Sequence, residues 1–97
     1  MTHPVNRTIA AARRDLALSL EISDTAARIE MMKNEVIATG GTWIDPSKAG
    51  GWGPHFYEIS LYGVSQTGDS AEEAVRHWSR AVLKMEDALA DERGAAA

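Results

Sequence analysis

The chain has 97 residues, 44% apolar and 25% charged, with 10 Lys and Arg against 14 Asp and Glu and no Cys, which suits one small folded domain. That composition excludes a disulfide framework, a zinc-thiolate centre and a thiol nucleophile, and no apolar run nears the ~18 residues of a membrane span. A formal charge of −4 argues against direct binding to nucleic acid or an anionic membrane, both of which draw on surplus Lys and Arg; with no signal peptide, the expected compartment is the cytoplasm.

From Asn6 to Thr39 there is neither glycine nor proline, and Ala, Arg, Leu, Glu and Met dominate. The segment is expected to be helical and to stop at Gly40-Gly41, since glycine accepts the left-handed conformation that ends helices. Its apolar stripe changes side. At 100° per residue, Val5, Ile9, Leu16 and Leu20 cluster on one face, whereas Ile22, Ile29, Met32 and Val36 lie nearly opposite. Two readings follow. The helix breaks near Ser23-Asp24, either of which can cap a new one, giving an αα-hairpin. Alternatively it is one long helix, straight or kinked, whose second half packs on its own domain while Leu16 and Leu20 cover a second copy or a partner. The lack of a breaker in the middle favours the long helix.

Thr42-Trp43-Ile44 is a short β-prone run, and Asp45-Pro46-Ser47 is a turn signal. After the loop Ala49-Gly50-Gly51-Trp52-Gly53-Pro54, residues His55 to Val64 alternate. Tyr57, Ile59 and Leu61 face one way, and Phe56, Glu58, Ser60 and Tyr62 the other, which predicts a second strand paired antiparallel with the first. Gly63 and Gly68 are expected to turn the chain out of the sheet. Asp69-Ser70-Ala71-Glu72-Glu73 carries a capping box, readable from Asp69 to Glu72 or from Ser70 to Glu73. Ala71, Val75, Trp78, Val82, Met85 and Leu89 then form an apolar seam at spacings of three and four. Arg93-Gly94 is the expected end of that helix. The expected fold is α+β in the order α-β-β-α, one domain over residues 1–93 with a frayed tail at 94–97.

Catalytic constellations are scarce. His3, His55 and His77 have no metal-ligand spacing on a shared helical face. His77, four residues after Glu73, reads as an exposed i,i+4 pair rather than an acid/base pair. The glycine-rich loop before His55 leads into a strand and puts Pro54 where a phosphate would need an N–H donor, so it reads as a hairpin connection. Trp52, between glycines, either folds onto the core or stands out as a binding anchor. Trp43 and Trp78 read as core. No metal site, cofactor or catalytic residue is expected.

The stretch from Tyr57-Glu58-Ile59-Ser60-Leu61 to Gly68-Asp69-Ser70-Ala71-Glu72-Glu73-Ala74 resembles the strand, turn and helix start of HicB-like antitoxins, over residues 57–74. That resemblance implies toxin neutralisation. A second resemblance is one of type. A short, acidic, cysteine-free α+β chain is similar to the small accessory proteins of phages and prophages, anti-CRISPR proteins among them. It implies a chain that acts in the bacterial host cytoplasm by occupying basic, nucleic-acid-binding surfaces of its targets.

The acidity sits in the last third, where residues 67–97 hold seven acidic and four basic groups. The leading expectation is therefore a non-enzymatic protein-binding module aimed at a host protein with a basic surface. Its candidate contacts are Trp52, His55, Leu16, Leu20, Asp69, Glu72, Glu73 and Asp87. The alternatives are a homodimeric assembly module built on the first helix, a HicB-like antitoxin, and a small-molecule site around Trp52 and His55.

Overall fold

The computed structural model describes residues 4–48 and 56–96. Two helices, α1 (Pro4–Glu21) and α2 (Thr25–Thr39), lead into strand β1 (Thr42–Ile44) and a single 3-10 turn at Pro46–Lys48. Strands β2 (Tyr57–Leu61) and β3 (Val64–Gly68) follow, and helix α3 (Ala71–Ala96) closes the order. The class is α+β, with three helices on a three-stranded antiparallel sheet.

The long first helix expected from composition is broken. Asp24 leaves helical geometry (φ −75°, ψ 170°), and its carboxylate accepts the Ala27 N–H at 2.8 Å. Across the gap, Arg28 donates from Nε to the Leu20 carbonyl at 2.7 Å and from Nη2 to that of Glu21 at 3.4 Å. The new helix is therefore capped at its start by Asp24, and its Arg28 satisfies the carbonyls that the old one leaves free. Two local satisfactions outweigh the good helix propensity of the junction.

The break also reorients the stripe. Leu16, Ala17 and Leu20 of α1 and Met32 and Val36 of α2 enter one core with Ile59, Leu61, Val64, Ala74, Val75, Trp78 and Val82. Leu16 and Leu20, expected to face a partner, are 8% and 1% exposed in the chain's own interior. Ile22, expected on the buried stripe of α2, falls in the gap and is 88% exposed.

The expected two-stranded hairpin is a three-stranded sheet in the order β1-β2-β3. β1 pairs with β2 as expected, with Trp43 opposite Ile59. β2 stops at Leu61, and Gly63 does not turn the chain out of the sheet. Tyr62 (φ 52°) and Gly63 (φ 77°) make a two-residue turn that brings β3 back along β2, the positive-φ pair that matches strand twist in hairpins. β3 lacks the apolar alternation that announces a strand, since only Val64 among its side chains is hydrophobic.

α3 starts as expected, and the cap is that of Ser70. Its Oγ accepts the Glu73 N–H at 3.1 Å, while Glu73 Oε1 accepts the Asp69 N–H at 3.3 Å. Val75, Trp78 and Val82 are fully buried, and Trp78 Nε1 donates to the Leu61 carbonyl at 3.2 Å, so the indole is satisfied as well as packed. Gly68 lets β3 press on the helix: a Cβ there would lie 2.4 Å from the Ala74 nitrogen. The helix does not end at Arg93-Gly94 but continues to Ala96.

Candidate functional site

The apolar seam of α3 outlasts the core. Val82 is fully buried, but Met85 and Leu89, on the same stripe, are 38% and 41% exposed. α1 runs antiparallel beside it. Ser79 Oγ donates to Glu21 Oε1 at 2.9 Å, whereas Arg13, two turns earlier, reaches the Tyr62 carbonyl at the start of β3 with Nη1 at 3.1 Å. Ile9 lies about 18 Å up α1 from Glu21 at 1.5 Å per residue, towards the Tyr62 end of the sheet. It is 40% exposed. Ile9 also borders an open groove of about 540 Å³ between the Thr39–Thr42 end of α2 and the Ser60–Gly63 turn.

This end is built by unusual backbone. Gly40 (φ 77°) terminates α2, and the Gly41 N–H returns to the Val36 carbonyl at 3.0 Å, which is the six-to-one bond of a Schellman stop. Tyr62 is the one non-glycine residue at positive φ among the described residues, a conformation that costs a bulky side chain of order 1 kcal/mol or more. It is held on two sides. Its carbonyl accepts from Arg13, and its Oη donates to Glu35 Oε1 at 2.8 Å. Burial first, then the hydrogen bond to Glu35 and that group's charge, push the phenol up to about 12. Tyr62 therefore stays a neutral donor at physiological pH. Arg13 Nε is buried without a hydrogen-bond partner among the described residues, so the guanidinium is fixed by its outer nitrogen alone.

The charged residues separate into two ends. Asp69, Glu72 and Glu73 lie at the start of α3, where Glu73 is engaged in the cap and Glu72 Oε1 accepts from Thr25 Oγ1 at 3.2 Å. Asp87 stands about 22 Å further along the axis from Glu72, next to Glu86 and within the Met85–Leu89 turn. Between them Arg76, Arg80 and Lys84 succeed one another every four residues, all exposed. The four acidic candidates are divided between the two ends of α3. Leu16 and Leu20 are core, and Trp52 and His55 lie outside the described residues.

His77 does not pair with Glu73; its Nδ1 lies 2.7 Å from the Thr67 carbonyl. Trp43 is half-buried, edge-on to Tyr57 with centroids 6.4 Å apart, and Lys33 Nζ sits 5.4 Å from its ring centre. Tyr62, Glu35 and Arg13 escaped sequence reading because 27 and 49 residues separate the two bonded pairs. The one local hint was a Tyr-Gly step at the end of an alternating run. Among the described residues no group of three or more His, Asp or Glu is placed to hold a metal ion, and no helix is long and apolar enough to cross a membrane. Comparison with family models, with curated proteins and with solved structures finds no match.

Proposed function

We propose that the chain is a non-enzymatic protein-binding module that docks through the exposed end of the α3 seam, Met85 and Leu89, and through Ile9 onto a partner with a basic surface. The observation that carries this reading is the α3 seam: apolar side chains continue on the core-facing stripe after the chain's own core has ended. Glu86 and Asp87 lie among them, and Asp91 and Glu92 follow in sequence. Apolar contact then supplies affinity, and the acidic rim steers a positively charged partner and discriminates against negative ones. The groove beside Ile9 has room for one large side chain of that partner.

The setting proposed is that of a phage or mobile-element inhibitor of the anti-CRISPR type, occupying the basic surface of a nucleic-acid-handling host protein. The test is capture from the bacterial host with the wild-type chain and with a Met85→Ser/Leu89→Ser variant, followed by association kinetics on the purified target. The reading expects a basic target, lost by the variant, whose on-rate falls steeply as salt rises through about 0.05 to 0.5 M. Equal capture by the variant would remove this end from the interface. A salt-independent on-rate would remove the electrostatic part.

A further inference from the structure

β3 is the last strand of the sheet, and among the described residues no strand pairs with its outer edge. The two-residue turn makes Leu61 and Val64 a hydrogen-bonded pair. Antiparallel alternation then assigns the same bonding to Ile59 with Gln66 and to Tyr57 with Gly68. Val64, Gln66 and Gly68 direct their backbone groups at β2, while Ser65 and Thr67 direct theirs away from it. His77 Nδ1 meeting the Thr67 carbonyl from the helix side agrees with that direction. Among the described residues the Ser65 N–H, the Ser65 carbonyl and the Thr67 N–H have no protein partner, and both residues are exposed. Edge strands are ordinarily guarded by Lys, Pro, a bulge or a covering segment. Val64-Ser65-Gln66-Thr67-Gly68 has no charge and no proline, and it pairs with β2 without a bulge. The opposite edge, β1, is only three residues long and runs into Asp45-Pro46.

We propose that β3 pairs antiparallel with β3 of a second copy of this chain, about a dyad at Gln66, joining two three-stranded sheets into one of six strands. Such a dyad sets Ser65 of each copy against Thr67 of the other, so every free donor and acceptor of the edge is used. The Thr67 carbonyl has a second lone pair, and accepts from the second copy besides His77. The edge is self-complementary: its free groups sit one residue either side of Gln66, so a copy of the same strand satisfies both edges at once. Gly68 packs on Ala74, and Gln66 lies about 7 Å further along a strand antiparallel to the helix, level with Trp78 and Ser79 at 1.5 Å per residue. Rotation about that level brings Glu73 of each copy opposite Lys84 of the other and sets Arg80 of each copy opposite His77 of the other. The strand itself brings no like charges together. The inference does not depend on the binding role given to Met85 and Leu89.

The test is sedimentation of the wild-type chain from about 5 to about 500 μM, beside Ser65→Pro and Thr67→Lys variants. Proline at 65 removes an outward N–H and leaves the β2–β3 ladder intact; lysine at 67, an exposed position, places a charge at the proposed contact and covers the case in which Ser65→Pro fails to fold. The expected result is a concentration-dependent dimer that weakens at least ~10-fold in both variants, with unchanged far-UV circular dichroism. Amide exchange at Ser65 and Thr67 should slow as the wild-type chain is concentrated. A wild-type chain that stays monomeric throughout overturns the proposal, as does a dimer that survives both substitutions.

Discussion

The Tyr62 hydroxyl donates to Glu35 Oε1 at 2.8 Å and so ties the β2–β3 turn to α2. The same residue holds the positive φ that lets the hairpin close. A side chain badly suited to its backbone conformation is retained where its far end is anchored. Tyr62→Phe keeps the ring and removes the anchor, and should cost about 1 kcal/mol at neutral pH in urea denaturation.

Burial of the Tyr62 phenol, with its bond to Glu35 and that group's charge, sets an alkaline limit. The Tyr62 phenol is raised to about 12 in the folded chain against an ordinary 10.0. Between those values the folded state keeps a proton that the unfolded chain releases, so stability falls as pH rises from 10 towards 12. Tyr62→Phe should flatten that part of the curve relative to wild type. An unaltered alkaline slope would place the titrating group elsewhere.

Two glycines should respond very differently to alanine. At Gly63 the space around a Cβ is empty, and the cost is that of φ 77°, about 1–2 kcal/mol. At Gly68 the new Cβ meets the Ala74 nitrogen at 2.4 Å and its Cα at 2.9 Å. Neither strand nor helix can yield there without repacking, so Gly68→Ala should cost about 3 kcal/mol or prevent folding. Thermal melts of the two variants give the comparison directly.

Neighbouring leucines of α1 separate core from surface. Leu20 is 1% exposed and Leu18 is 50% exposed. Leu20→Ala should lose about 2–5 kcal/mol, and Leu18→Ala should stay within about 0.5 kcal/mol of wild type. Similar losses at both positions would contradict the orientation of α1.

The break between α1 and α2 rests on Asp24. Asp24→Ala should destabilise by about 1 kcal/mol through loss of the Ala27 cap, with faster amide exchange at Ala27. Arg28→Ala, by uncovering the Leu20 and Glu21 carbonyls, should loosen the last turn of α1 in the same measurement.

What the residues determined locally can be named. Ser70 and Glu73 announced the start of α3, because a cap is made between neighbours three residues apart. Gly40-Gly41 announced the end of α2, and Trp43 and Ile59 lie in two runs whose alternation allowed pairing. The stripe Val75, Trp78, Val82 was legible as core because a helix repeats its own face. Each of these needs only the chain's near neighbours and the period of the element.

Tertiary structure decided the rest. Which way the stripe of Leu16 and Leu20 points depends on a three-residue gap whose rotation no periodicity records, so a face read as open is interior. β3 has too little apolar character to declare itself, and exists because β2 offers it a ladder and Gly68 allows contact with Ala74. The exposure of Met85 and Leu89 arises for the same reason. A seam is written along one helix, but where it stops being core is set by how far the other elements reach.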